Sequence, residues 1–205
     1  MSNANPYQVV RDFEQAISEY TGAPYVVCVN SCTMALFLCL KYGVSPGHYV
    51  DIPKRTYISV PMQILHAGLG LYFRDECWQG EYQIGGTMIW DSARRFTSGM
   101  FHADKFQHTC QCVSFHASKI LGIEQGGAIL HDSPVADVWF RRARFDGRTE
   151  GVAPRDDKFD MLGYHCYMSP SVAAQGLLKI YSLPKHNADL PNDDYPDLSK
   201  MEIFK

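Results

Sequence analysis

The chain has 205 residues, of which 46% are hydrophobic and 20% are charged, and its formal net charge is −3. These values are typical of a soluble protein of one domain, or of one domain with a small appendage, and no basic stripe suggests a nucleic-acid-binding protein. No run approaches the ~20 apolar residues of a membrane span, and the amino terminus lacks the basic start and apolar core of a signal peptide, so a cytoplasmic location is expected.

The sequence alternates between helical and strand patterns. Apolar residues recur on one face of a first helix, a short β-branched run follows, and a hydroxyl-rich turn leads into a second helix. In chain order the predicted elements are a helix over 7–20, a strand over 25–29, a helix over 34–42, a strand over 49–52, a helix over 57–67, strands over 70–73, 87–90, 111–115 and 127–130, and helices over 135–145 and 169–181. This alternation predicts an α/β layered fold with a mostly parallel central sheet.

Two segments lack this pattern. Residues 146–158 are charged and contain Gly147, Gly151 and Pro154, which predicts a mobile loop. Residues 184–205 are polar, contain several prolines and have little periodicity, which predicts an extended carboxyl-terminal tail. The expected organisation is therefore one domain over 1–183 followed by a tail over 184–205.

The seven cysteines do not have the spacing of a metal site. The chain has no Cys-x-x-Cys motif, and neither the Cys28/Cys32 pair nor the Cys110/Cys112 pair has zinc-ligand spacing. Most of these residues lie in apolar runs, where a thiol packs as a small hydrophobic group. The sequence therefore predicts buried free thiols, no metal site and a reducing environment.

Lys119 lies shortly after an apolar strand and before a glycine-rich stretch. Open α/β sheets bind ligands beyond the carboxyl ends of their strands, where Ser31, Asp91 and Lys119 all fall. A desolvated lysine at such a place loses its proton and attacks a carbonyl carbon, as Schiff-base chemistry requires. The alternative is an exposed loop lysine, which is the commoner situation for this residue type.

Asp91 and the start of the second helix carry two further signals. Asp91 ends an apolar strand, so it is either a functional carboxylate or a cap for the next turn. The segment Ser31-Cys32-Thr33-Met34 opens a helix, whose free N–H groups either bind phosphate or are simply N-capped. The hydroxyl of Ser114 is a further candidate donor to a phosphate.

These residues together resemble one protein family. From Phe13 to about Leu183 the chain resembles the DegT/StrS family of sugar aminotransferases, which depend on pyridoxal 5′-phosphate (PLP) and have the fold type I, aspartate-aminotransferase-like architecture. The resemblance is carried by Phe13-Glu14-Gln15-Ala16, Asn30-Ser31-Cys32-Thr33-Met34-Ala35-Leu36, Thr56-Tyr57, Ala67-Gly68, Asp91-Ser92-Ala93-Arg94, Ser114-Phe115-His116-Ala117-Ser118-Lys119, Glu124-Gln125-Gly126-Gly127-Ala128 and Leu162-Gly163-Tyr164-His165-Cys166-Tyr167-Met168-Ser169. It implies a PLP-binding domain of three layers.

The resemblance implies roles for individual residues. Lys119 is similar to the lysine that forms the internal aldimine and later moves the proton, and Asp91 to the partner of the pyridinium nitrogen. Tyr57 takes the place of the aromatic residue that stacks on the ring. In the family, a small group of residues binds the phosphate of the cofactor. The residues here that resemble that group, or lie next to it, are Cys32, Thr33, the Met34 backbone and Ser114. His165 stands where the family has an asparagine from the second subunit, which implies a homodimer with shared active sites.

The chain departs from the family in residue type and in length. Cys32 stands where the family usually has Gly or Ala, and Arg94 stands where it has Gln or His. Arg94 either adds positive charge near O3′ of the cofactor or a substrate carboxylate, or forms a salt bridge with a surface acid. The segment between Phe73 and Thr87 has room for one loop, so about six strands are expected instead of seven, and the small carboxyl-terminal domain is reduced.

The resemblance implies a PLP-dependent aminotransferase that acts in two stages. Glutamate is the expected amino donor, and a keto-sugar or a similar small keto compound is the expected acceptor. The presence of Lys119, where the sugar dehydratases of the family have histidine, favours transamination over dehydration. Two alternatives stay open: another PLP reaction, such as decarboxylation, elimination or isomerisation of an amino acid or aminoacylated adduct, and a compacted, non-catalytic member of the family.

Overall fold

The computed structural model describes residues 5–102, 108–192 and 194–204. The helices are α1 (Gln8–Thr21), α2 (Cys32–Gly43), α3 (Ser59–His66), α4 (Pro134–Ala143) and α5 (Pro170–Ile180). The strands are β1 (Tyr25–Val29), β2 (Tyr49–Pro53), β3 (Gly70–Arg74), β4 (Tyr82–Gln83), β5 (Ile89–Asp91), β6 (Cys110–Ser114) and β7 (Gly127–His131). Three 3-10 helices span Pro154–Asp156, Leu198–Lys200 and Glu202–Phe204.

The α-helices and the other strands follow the predicted order, and strand β4 and the three 3-10 helices are additional to it. Strand β4 lies in the segment that was predicted to be a single loop. The predicted domain over 1–183 and tail over 184–205 include residues 1–4, 103–107, 193 and 205, which lie outside the described residues. No helix in the described ranges has the length and apolar character needed to cross a membrane.

The central sheet is mixed and has five strands, in the order β1-β7-β6-β5-β4. Within the described residues, β5–β6 is the one parallel pairing of this sheet, whereas β1–β7, β7–β6 and β4–β5 are antiparallel. Strands β2 and β3 form a separate parallel pair. The predicted α/β class is confirmed. The prediction of a central sheet with about six mostly parallel strands is wrong, because this sheet has five strands that are mostly antiparallel. The physical reason is that no helix lies between β6 and β7, so the chain returns antiparallel.

Helices cover both faces of the central sheet. One core joins α2 to Val27 of β1 and Ile129 of β7, and the other joins α1 to Val26 and Leu130 of the same two strands. Alternate residues of a strand point to opposite faces, so each of these strands contributes to both cores. Helix α5 packs against α1 on its side of the sheet. The sheet is therefore the middle of three layers, as the resemblance implied.

The strand directions bring the predicted site residues to one edge of the sheet. Strands β1, β5 and β6 run in the same direction. Ser31 lies just beyond β1, Asp91 is the last residue of β5, and Lys119 lies shortly after β6. Because the carboxyl ends of strands with a common direction meet at one edge, the topology places these three residues close together.

A buried group of ion pairs ties α1 to the sheet. Glu14 on α1 is only 4% exposed, and its carboxylate accepts a hydrogen bond from the Cys28 N–H at 2.9 Å. The same carboxylate pairs with Arg144, which is 3% exposed, and with Arg141 at 2.6 Å. Arg144 also donates to the Cys28 carbonyl at 2.6 Å. Helix α1, strand β1 and the end of α4 are therefore joined through one carboxylate.

The segment after Leu183 packs against the domain. The Asp189 carboxylate accepts two hydrogen bonds from the Arg95 guanidinium, at 3.0 and 2.6 Å. Leu198 is fully buried, and its N–H donates to the Lys54 carbonyl at 2.8 Å. Buried Leu198 and the ion pair of Asp189 therefore hold the described part of this segment to the domain, and two short 3-10 helices lie within it.

Candidate active site

A cavity of about 460 Å³ is lined by residues from the carboxyl edge of the sheet. Its size falls within the about 300–1,000 Å³ that is usual for small-molecule sites. The predicted site residues among its lining are Cys32, Thr33, Tyr57, Asp91, Arg94, Ser114 and Lys119. Most of the predicted site is therefore brought together in one cavity.

Asp91 presents a buried carboxylate to the cavity. It is 4% exposed, and its Oδ1 atom accepts a hydrogen bond from the Ala93 N–H at 3.0 Å. Its Oδ2 atom accepts one from the Tyr82 hydroxyl at 2.9 Å. Burial raises the pKa of Asp91 above its ordinary value, and these two donors, with the positive charge of Lys119, limit the rise. The carboxylate is thus both desolvated and held in a fixed orientation.

Tyr82 connects Asp91 to Thr56, which also lines the cavity. Tyr82 is 2% exposed, and its hydroxyl lies 2.7 Å from the Thr56 hydroxyl. Tyr82 was not predicted as a site residue, because the two-residue strand β4 lies in a segment that was predicted to be a loop. A strand this short has too few residues to show an alternating pattern.

Lys119 reaches the cavity from the turn that follows β6. Its N–H donates to the His116 carbonyl at 2.8 Å, which closes the turn, and its side chain is half-buried. In the described parts of the chain, no carboxylate lies within salt-bridge distance of its Nζ atom. Burial lowers the pKa of Lys119, and the nearby Arg94 guanidinium lowers it further. A larger fraction of the Lys119 amine is therefore neutral, and so nucleophilic, than in an exposed lysine at the same pH.

The amino terminus of α2 faces the same cavity. Ser31 caps the helix by accepting a hydrogen bond from the Met34 N–H at 3.2 Å, so the N-capping interpretation is correct for that amide. The Thr33 hydroxyl lies 2.8 Å from the hydroxyl of Ser59, a residue that was not predicted to belong to the site. These hydroxyls, Ser114 and the positive end of the α2 dipole form a surface that can bind an anion.

Strand β7 lies unusually close to the start of α2. A Cβ atom placed on Gly127 would lie 2.7 Å from the Ser31 carbonyl carbon and closer still to the Cys32 amide nitrogen. These are backbone atoms and cannot move aside as a side-chain end can. We therefore expect Gly127→Ala to lower the free energy of unfolding by about 1–3 kcal/mol, measured by urea denaturation.

Gly43, at the end of α2, is a matched control for this substitution. A Cβ atom on Gly43 would meet no atom within 4 Å. Gly43→Ala is therefore expected to leave stability unchanged or to raise it by about 0.4–1 kcal/mol. Equal effects of the two substitutions would contradict the close approach at Gly127.

Arg94 contacts the carboxyl-terminal segment. Its guanidinium donates to the Tyr195 hydroxyl at 2.9 Å, to the Asp194 carboxylate at 2.8 Å and to the Pro191 carbonyl. It also lies over the Tyr195 ring, 4.5 Å from the ring centroid. Of the two roles considered for Arg94, the structure shows the ion pair with an acidic residue. Asp194 and Tyr195 thereby become part of the cavity wall.

Aromatic rings form another part of that wall. Tyr57 is 55% exposed, and its ring centroid lies 6.4 Å from that of Tyr195. The Trp78 and Tyr195 rings are stacked with their centroids 6.2 Å apart. Tyr57 was predicted from the sequence, whereas the contribution of Tyr195 was not, because it lies about a hundred residues from Arg94 in the chain.

His165 and Met34 are not among the residues that line this cavity. The His165 side chain is 72% exposed, and its Nδ1 atom lies 3.0 Å from the Asp146 carboxylate. The Met34 backbone N–H is bonded to the Ser31 hydroxyl, as described above. A role of His165 in the site of a second copy stays a prediction.

The cysteines are free thiols, and all except Cys77 are buried. Cys32 borders the cavity, and its Sγ atom lies 3.6 Å from the Cys112 carbonyl oxygen. Burial raises the pKa of Cys32 well above its ordinary value, so it is a neutral thiol there. Among the described residues, no group of three or more His, Cys, Asp or Glu side chains could hold a metal ion.

The cavity therefore combines three chemical elements. Lys119 provides an amine with a lowered pKa, Asp91 provides a buried acceptor, and the start of α2 provides an anion-binding surface. An amine of this kind can bond to a carbonyl carbon, while a buried carboxylate can hold a cationic ring nitrogen. The arrangement suits a ligand that carries a phosphate at one end and a basic nitrogen elsewhere.

Comparison with known proteins gives a family match over most of the chain. The family model described as the DegT/DnrJ/EryC1/StrS aminotransferase family matches residues 3–84 and 91–189. The spore coat polysaccharide biosynthesis protein SpsC of Bacillus subtilis (strain 168) is 42% identical over 67 residues, which are 32% of this chain and 17% of SpsC.

Solved structures share the fold. NtdA from Bacillus subtilis, with bound cofactor PMP, aligns with a TM-score of 0.70 and 19% identity over 85% of this chain and 48% of NtdA. The aminotransferase TlmJ from Streptoalloteichus hindustanus aligns with a TM-score of 0.68 and 19% identity over 90% of this chain and 65% of TlmJ. The chain thus spans less than two thirds of the length of these relatives.

Proposed function

The chain belongs to the DegT/DnrJ/EryC1/StrS aminotransferase family, and from this premise we propose that it is a PLP-dependent aminotransferase whose cofactor binds in the cavity that Lys119 and Asp91 line. The observation that carries the proposal is the joint position of these two residues. A half-buried amine with a lowered pKa and a buried, hydrogen-bonded carboxylate line the same cavity. An amine and a carboxylate with these properties are the two side chains that PLP chemistry requires of a protein.

The residues of the cavity fit this cofactor. The start of α2, with Thr33, Ser59 and Ser114, would hold the phosphate. Asp91 would hold the pyridinium nitrogen, because it lines the cavity, is only 4% exposed and accepts one hydrogen bond at each oxygen, which leaves each oxygen able to accept another. The exposed ring of Tyr57 would provide the apolar surface on which the cofactor ring lies.

The protein groups would divide the work of transamination. PLP, when bound, supplies an aldehyde that bonds to amines and a protonated ring that accepts electrons. The Lys119 Nζ atom would accept the proton from the α-carbon of the donor and deliver it at the next step, since its lowered pKa makes the neutral amine easier to form than in an exposed lysine. Asp91 would keep the ring nitrogen protonated. Tyr195 and Trp78 would limit the access of water on their side of the cavity.

The proposed donor is glutamate, and the proposed acceptor is a keto-sugar or a similar small keto compound. The name of SpsC, a polysaccharide biosynthesis protein, supports a sugar as the acceptor. Arg94 is engaged by Asp194 and Tyr195, so the substrate would enter a cavity that the carboxyl-terminal segment has already narrowed.

We also propose that the protein works as a homodimer in the cytoplasm. An exposed His165 outside the cavity of its own chain supports a role in the site of a second copy. Cys39 and Cys112 have Sγ atoms 3.6 Å apart and are both free, which supports a reducing compartment. Sedimentation of the purified protein would measure the state of assembly.

The proposal is tested by adding PLP to the purified protein and following its absorbance. We expect a band near the visible edge that borohydride abolishes, with the reduced cofactor then found on the peptide that contains Lys119. Lys158 in the exposed loop over 146–158 serves as the internal control and should carry no label. Label spread over several lysines, or no band at all, would contradict the proposed site.

A further inference from the structure

Thr56, Tyr82 and Asp91 form a chain of hydrogen bonds, and the two end residues, Thr56 and Asp91, both line the cavity. The Tyr82 hydroxyl donates to Asp91 Oδ2 at 2.9 Å and lies 2.7 Å from the Thr56 hydroxyl. Each hydroxyl has one hydrogen, and that of Tyr82 is given to Asp91, so the Thr56 hydroxyl must donate to the Tyr82 oxygen. The direction of donation therefore runs from Thr56 through Tyr82 to Asp91.

This direction matters for the charge of Asp91. A donor to the ionised form of a buried carboxylate favours that form, and each hydrogen bond in a chain strengthens the next. The positive charges near Asp91 are those of Lys119 and Arg94, and Arg94 is already paired with Asp194. All three residues of the chain are buried, so water does not replace a lost donor. The orientation and charge of Asp91 thus depend on Tyr82 together with the Ala93 N–H.

We propose that Tyr82, supported by Thr56, is a positioning residue that keeps Asp91 ionised and aimed at the ring nitrogen of the cofactor. The inference rests on the proposed function, since it assigns a protein group to that same site. The proton between the ring nitrogen and Asp91 stays on nitrogen when the carboxylate is a weak base. Donation by Tyr82 makes Asp91 a weaker base, so removal of the hydroxyl moves that proton toward the carboxylate.

The test compares two ligands in two proteins. PLP and deazapyridoxal phosphate, in which carbon replaces the ring nitrogen, are titrated into the wild type and into Tyr82→Phe, and dissociation constants are measured by absorbance. Tyr82→Phe should weaken the binding of PLP by about tenfold, the amount expected for one lost hydrogen bond to a charged group. It should leave the binding of the deaza compound unchanged, because that ligand has no nitrogen for Asp91 to hold.

Two further variants complete the design. Thr56→Val should weaken PLP binding with the same selectivity and a smaller factor, which gives a second measurement if Tyr82→Phe folds poorly. Tyr20→Phe is the matched control, because the Tyr20 hydroxyl donates to the Pro184 carbonyl at 2.6 Å and Tyr20 is not among the cavity residues. It should bind both ligands as the wild type does.

The outcomes separate this inference from the proposed function. If the wild type binds PLP but Tyr82→Phe loses affinity equally for both ligands, Tyr82 has a general structural role. That result would overturn the inference about Tyr82 and leave the proposed function standing. Unchanged PLP affinity in both Tyr82→Phe and Thr56→Val would overturn it as well. If the wild type does not bind PLP, the proposed function is wrong, and the role assigned to Tyr82 is then wrong as well.

Discussion

Replacing Lys119 with alanine is expected to lower the rate of amino transfer by about 10⁴-fold, the upper part of the range for loss of a general acid–base group. The expected loss is large because the same amine would both attach the cofactor and carry the proton. Its half-buried position and lowered pKa suit both tasks, and the hydrogen bond from its N–H to His116 fixes the turn that aims it. The rate is measured in a single turnover with glutamate and bound PLP.

Two comparisons make this experiment decisive. Lys158→Ala, which removes an exposed lysine from the loop over 146–158, should leave the rate unchanged. A small primary amine added to Lys119→Ala should restore part of the rate, because it supplies the missing proton acceptor. Transamination by Lys119→Ala at the wild-type rate would refute the proposed function.

Replacing Glu14 with alanine is expected to lower the free energy of unfolding by about 3–5 kcal/mol, the usual cost of breaking one side of a buried ion pair. The substitution leaves the buried Arg144 guanidinium with its main partner removed, and it leaves the Cys28 N–H without its acceptor. Urea denaturation measures the change. Glu19 on the same helix is exposed, so Glu19→Ala should change stability by no more than about 0.5 kcal/mol.

The contribution of Glu14 should also depend on pH. Burial alone would raise the pKa of Glu14, but Arg144, Arg141 and the Cys28 N–H outweigh burial and hold it below its ordinary value. A group with a lowered pKa in the folded state stabilises the protein above its unfolded pKa, which is about 4.3 for glutamate. The stability gap between wild type and Glu14→Ala should therefore narrow as the pH falls below that value. A gap that widens in acid would contradict this account.

The sequence predicted the elements whose signals are local. Helix α5 begins with Ser169 as its N-cap and Pro170 in its first turn, and the structure has both. Strand β1 follows from a β-branched run, and the motif residues of the cavity follow from the family resemblance. These signals depend on neighbours in the chain, so they can be recognised without knowing the tertiary fold.

The strand directions and the support of the cavity depend on distant parts of the chain. The segment between β6 and β7 contains Gly122 and Gly126 and forms no helix, so the chain returns antiparallel. That signal was present in the sequence and favoured an antiparallel pair. The contacts of Tyr82 with Thr56 and of Arg94 with Asp194 have no such signal, because each joins segments that only the tertiary fold brings together.

The pairing of β1 with β7 has a consequence for synthesis of the protein. Val29 at the end of β1 is paired with Gly127, so the apolar strand Tyr25–Val29 leaves the ribosome about a hundred residues before its neighbour. At about 5–20 residues per second, this gap lasts roughly 5–20 s. During that interval the edge of β1 that later pairs with β7 has no partner, and other nascent chains can pair with it. Yield of folded protein should therefore depend on the speed of translation and on chaperones that cover exposed strands.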